Sequence, residues 1–153
     1  MVSRGASGKD YGKLWAMQVM SSITSNMALF YAMIFAEMIH TRVRSGNPTR
    51  SPWEFEVGAR AVASISQEMR NPARARLDSS IWVVVILGFA GRVAPLRPGP
   101  KYPRQSFLKE LQDLHIYCKM EIVLEHVLGL IKLVDLIGGL QNVRTPGMGQ
   151  IIS

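Results

Sequence analysis

Cysteine is nearly missing from this sequence: 153 residues contain one, Cys118. A lone thiol excludes an intramolecular disulfide and any zinc site built from several cysteines. It fits a reducing compartment. Its apolar helical surroundings suit a small buried hydrophobe better than a nucleophile. Aromatic residues make up 8% of the chain and rarely stand beside basic ones, so few are placed to stack nucleic-acid bases. Acidic residues thin out in the middle. Residues 42–109 hold twelve Lys and Arg against four Asp and Glu, whereas residues 110–153 hold three against five. A basic middle can meet nucleic acid, anionic lipid or an acidic protein. Charges scattered singly, as these are, fit solvated Arg-rich loops better. No positive segment leads into a short apolar core and a small-residue cleavage site, so a secretory signal is not expected. The string Gly5-Ala6-Ser7-Gly8-Lys9 lacks the leading glycine of a phosphate loop. Asp10 stands where that motif needs Ser or Thr to ligate magnesium, and no strand precedes it.

What is present is apolar sequence at helical spacing. Apolar residues form 48% of the chain, ordinary for a globular protein, and the length suits one domain with a real core. Residues 121–140, EIVLEHVLGLIKLVDLIGGL, look like the organising element. At 100° per residue, Glu121, Glu125, Lys132 and Asp135 fall in an arc of roughly 80°, and apolar side chains cover nearly all the rest. So thin a polar stripe predicts a helix enclosed by other helices. Gly138-Gly139 predicts its end, with Leu140 folding back as the apolar partner of the cap.

The remaining stretches are arranged around it. Residues 1–13 are Gly- and Ser-rich and predict a flexible lead-in. No charge occurs from Leu14 to Ala36, a run long enough to cross a bilayer. Polar residues cluster in its first half and predict a break near Ser22–Ser25. A helix then opens at Asn26, with Met27, Phe30, Ile34 and Met38 as its apolar side. Residues 42–53 predict a loop, with Ser51 capping the next helix, Pro52 in its first position and Glu54 in its first turn. That helix, over about 53–70, places Phe55, Val57, Ala61, Val62, Ile65 and Met69 near helical spacing, and Asn71-Pro72 interrupts it. Asp78 and Ser79 are candidate caps for residues 80–92, an apolar run short of a membrane span. Its Val and Ile content allows a strand, but helical neighbours and the lack of a partner strand favour a buried helix. An open loop rich in Gly and Pro follows from Gly91 to Pro103. Residues 105–119 return to helical spacing through Phe107, Leu108, Leu111, Leu114 and Tyr117. Gln141–Thr145 predict a turn, and Pro146 can start a short last helix through Ile152.

No catalytic signature rises above chance, and no enzyme activity, cofactor or metal is expected. Glu37-x-x-His40 has the pairing used by carboxylate di-iron bundles. Glu121, Glu125 and His126 do not supply the second copy such a site needs. His115 lies three residues from Cys118, and His126 follows, but nothing resembles a nucleophile turn or an oxyanion site. Trp15, Trp53 and Trp82 are expected as core or edge anchors. The methionines of the first helix, Met17 to Met38, are expected as plain core.

A family resemblance rests on three segments: NMALFYAMIFAEMIHTRVRS, then Asn71-Pro72 with Asp78-Ser79-Ser80-Ile81-Trp82, and last HVLGLIKLVDLIGGLQNVRTPGMGQII. Together they resemble the helical regulatory region of fungal-specific transcription factors. The most specific part is an HxxGLxxLVxxxGGL-type string, matched by His126, Gly129, Leu130, Leu133, Val134, Gly138, Gly139 and Leu140. The resemblance spans roughly residues 20–152 and implies an all-α regulatory module in the nucleus. Family members commonly carry an N-terminal zinc cluster of six cysteines. With Cys118 alone that DNA-reading unit is absent, so direct DNA contact is not expected. The family's helical region also runs beyond Ser153, which points to a truncated relative or an incomplete gene product. Apart from any family, Gly129 in mid-helix costs about 1 kcal/mol against Ala and is tolerated where another helix comes close.

Together these features predict an all-α bundle of five or six helices joined as antiparallel hairpins, in a single domain over residues 14–153. They predict a non-enzymatic interaction module acting through a protein partner or self-association. The alternative is a small membrane-associated protein anchored by residues 14–36, with its basic middle on the anionic leaflet.

Overall fold

The computed structural model describes residues 17, 20–90, 92–94 and 120–145. Within them the chain is mostly helical. Helix α1 spans Met27–Ser45, α2 Pro52–Met69, α3 Pro72–Ala75 and α4 Asp78–Ala90, and α5 spans Leu124–Leu136. A 3-10 turn covers Leu140–Asn142. Two short extended pieces, β1 (Arg92–Val93) and β2 (Met120–Glu121), pair antiparallel, Arg92 opposite Glu121 and Val93 opposite Met120.

The helix starts follow local chemistry. Asn26 adopts extended backbone and its side-chain oxygen accepts from the Leu29 N–H at 2.8 Å, capping α1. Residues 20–25 before it are helical as well. Asn26 therefore breaks the uncharged stretch over 14–36, which is not one continuous rod. Among the described residues no helix is long and apolar enough to cross a membrane. Ser51 caps α2 as expected, its hydroxyl accepting from the Glu54 N–H at 3.1 Å with Pro52 in the first position. Asn71 does not merely stop α2. Its side chain accepts from the Ala73 N–H at 3.0 Å and caps the single turn α3.

The valine-rich segment is helical, and it is the most enclosed element. In α4, Ile81 and Val83 are fully buried, and Val84, Val85, Leu87 and Ala90 nearly so. Helix α1 contributes Ala28, Leu29, Ala32, Phe35, Ile39 and Val43 to the same core, and α2 contributes Val57, Ala61 and Ile65. At Gly58 a Cβ would sit 2.8 Å from the Phe35 ring, so α1 and α2 approach closely there.

The α1 face differs from the expected one. Met27, Phe30 and Ile34 are exposed, and Met38 only packs on the periphery of the core. Helix α1 is apolar nearly all round, so its pattern does not single out a face. The small side chains of Ala28 and Ala32 let a neighbouring backbone come near. In α2, Phe55 and Val62 are also exposed, and Glu54 and Glu68 are buried instead. Trp53 is exposed, and Trp82 packs at the edge of the core.

Glu54 is buried because Arg42 meets it. The Arg42 Nε lies 2.8 Å from the Glu54 Oε2, and the pair ties the end of α1 to the start of α2. Arg50 approaches the other carboxylate oxygen at 3.4 Å. Asp78 and Ser79 do other work than capping. Asp78 opens α4, and its Oδ2 accepts from the Arg144 N–H at 2.8 Å, the Thr145 N–H at 2.5 Å and the Thr145 hydroxyl at 2.8 Å. Ser79 accepts from the Asn26 amide at 3.1 Å.

The expected organising helix is the largest correction. It begins at Leu124, not Glu121, because Glu121 pairs in the ladder and the Val123 N–H donates to the Gly88 carbonyl at 3.1 Å. Of its residues only Leu133 is buried, and Leu124, Leu128, Ile131 and Leu136 are exposed. The predicted lead-in over 1–13, the helix over 105–119 and the last helix from Pro146 lie outside the described residues. So do Trp15, His115 and Cys118.

Candidate interaction site on helix α5

The residues singled out by the helical motif lie on α5 and the turn after it. The turn forms as the paired glycines require. Gly138 and Gly139 have φ of 87° and 108°, which L side chains rarely adopt. The Gly138 N–H donates to the Asp135 carbonyl at 3.0 Å, and the Gly139 N–H reaches back to Val134 at 2.9 Å. This is the Schellman pattern, and it satisfies the last carbonyls of α5. Leu140 opens the 3-10 turn, half-buried. Ile137 and Val143, not Leu140, are the apolar side chains flanking this turn that pack on the core.

On the helix itself the motif residues divide. Leu133 enters the core, and Leu130 packs against it. Val134 is half-buried. His126 is half-buried over α4, its Cβ 3.5 Å from where a Cβ on Gly88 would stand. The close approach of α4 and α5 thus falls at Gly88. At Gly129 a Cβ would meet nothing within 4 Å among the described residues, which show no helix contact there.

Between α2, α4 and α5 lies a groove of ≈ 510 Å³. Val62, Ile65 and Met69 line it from α2, Val84 and Leu87 from α4, and His126, Gly129 and Leu133 from α5. Glu125 and Lys132 stand among these apolar walls. An apolar concavity with a few polar groups is the form of an interaction site. The α5 side chains Leu128 and Ile131 are exposed on the same helix. The groove offers contact area and no nucleophile paired with a base.

Glu37 accepts from the Thr41 hydroxyl one turn along at 3.3 Å. Among the described residues no three His, Cys, Asp or Glu side chains are grouped so as to hold a metal ion. The Arg42–Glu54 pair was not legible beforehand. Nothing marks two charges twelve residues apart as partners, since that contact depends on how α1 and α2 dock. No known protein family, curated protein or solved structure matches the chain.

Proposed function

We propose that this chain is a non-enzymatic regulatory module that binds a protein partner, or a second copy of itself, through helix α5. It resembles the helical region of fungal-specific transcription factors, and a nuclear role follows from that resemblance. Contact is with protein rather than DNA. Successive helices pack as antiparallel hairpins, a reading supported by the connector of residues 46–51 between α1 and α2, whose length suits antiparallel neighbours.

The observation that carries this reading is the apolar surface of α5. Leu124, Leu128, Ile131 and Leu136 are exposed together on one thirteen-residue helix beside an apolar groove. Exposed apolar side chains beside an apolar groove support an interaction surface there, and an amphipathic partner helix is its natural complement.

The test compares the full chain with a Leu128→Glu/Ile131→Glu variant by sedimentation velocity across a hundredfold concentration range, with a pull-down from nuclear extract alongside. The expected result is association or specific capture by the parent chain and neither by the variant, at equal helicity. A parent chain that stays monomeric and captures nothing removed by the variant overturns the proposal. A fluorescent fusion excluded from the nucleus removes its nuclear part.

A further inference from the structure

A second concavity meets the α5 groove at Leu136. It measures ≈ 880 Å³ and is bounded by the starts of α1 and α4, the α3 turn and the segment after α5. Its walls are polar. Asn26, Ser22, Ser79 and Asn142 contribute amides and hydroxyls, and Arg74, Arg76 and Arg144 contribute three guanidinium groups.

The charges in this cleft are unequally used. Asp78 spends one oxygen on three donors from Arg144 and Thr145. Glu68 accepts from the Asn26 amide at 3.0 Å. Both carboxylates thus hold the frame together. Among the described residues, no carboxylate pairs with Arg74, Arg76 or Arg144. Asp78 also brings a remote part of the chain here. By holding the Arg144 N–H, 66 residues away in sequence, it stations the third arginine at a wall that Arg74 and Arg76 already line.

We infer that this cleft binds a small phosphate-bearing molecule with more than one negative charge. Guanidinium forks match phosphate oxygens two at a time, and the Ser22 and Ser79 hydroxyls supply neutral donors. The Asn26 and Asn142 amides are spent on the frame. The volume lies in the range of small-molecule sites, roughly 300–1,000 Å³. Among the described residues no aromatic side chain lines the cleft, so they offer no stacking platform of the kind single-stranded nucleic acid uses. This inference stands apart from the partner surface on α5.

Isothermal titration calorimetry of the full chain with inorganic pyrophosphate, at physiological ionic strength, tests it. The expected result is saturable one-to-one binding. Arg74→Gln weakens it at least threefold, and Arg74→Gln/Arg144→Gln at least tenfold. Arg60→Gln removes equal charge at a guanidinium already held by Glu56 at 2.5 Å, and leaves binding unchanged. Asp78→Ala separates placement from charge. It removes both a negative charge and the oxygen that holds Arg144 and Thr145, so mere charge attraction would strengthen binding, whereas loss of the Arg144 tether weakens it. Absence of saturable binding, an equal loss in Arg60→Gln, or citrate binding as tightly as pyrophosphate overturns the proposal.

Discussion

Helices α4 and α5 are each thirteen residues long and both are rich in Val, Leu and Ile, yet the fold treats them oppositely. In α4 apolar side chains are buried on nearly every side, because α1 covers one flank and α5 the other. In α5 Leu133 alone is buried. The difference does not come from apolar content. It comes from the number of neighbours: α4 lies between elements, and α5 lies at the margin of the core. A helix of high apolar content is therefore core or contact surface according to its place in the packing.

Substitutions break or sharpen that contrast. The largest effect is expected at the joint that holds the enclosed region together. Glu54→Ala strands the Arg42 guanidinium away from water and costs about 3–5 kcal/mol in urea unfolding. An Arg42→Met/Glu54→Leu double variant recovers much of that loss. If Glu54→Ala unfolds with parent stability, the pair is not buried as described. Next is the centre of α4, where Ile81 is 0% exposed. Ile81→Ala is expected to cost about 2–5 kcal/mol by the same measurement. A smaller effect attends Ser51→Ala, which removes the cap of α2 and costs about 1 kcal/mol.

On α5 the expected signs change. Gly129→Ala has open space to fill, so it stabilises by up to about 1 kcal/mol through helix propensity alone. A loss of stability would mean that another helix does pass over Gly129. Leu128 is 52% exposed, and Leu128→Ser is expected to shift stability of the isolated chain by no more than about 0.5 kcal/mol. Under the proposed reading its effect falls on association. A large loss of stability would place α5 back inside the core and remove the contrast with α4.

Local signals were readable and tertiary ones were not. Ser51-Pro52 announced the start of α2, and the paired glycines announced the end of α5, because capping and left-handed backbone are satisfied within a few residues. The valine-rich run is helical as its helical neighbours imply. The buried face of α1 is not the one its spacing predicts. Met27, Phe30 and Ile34 are as apolar as Leu29, Phe35 and Ile39, so periodicity gives no preference. Of the motif residues, Gly138 and Gly139 act as expected, whereas Gly129, among the described residues, lacks the helix contact that was to explain it.

The order of residues was enough to specify the helix opening at Asn26 and the Ser51 cap of α2, since each depends on hydrogen bonds closed within one turn. The break expected near Ser22–Ser25 falls instead at Asn26, after helical residues 20–25. Which helix became the centre depended on docking. Burial is shared among distant segments, and Arg42 finds Glu54, as Asp78 finds Thr145, only once the helices have met. For the same reason the apolar surface of α5 and the arginine-lined cleft are properties of the packed chain and not of any stretch within it.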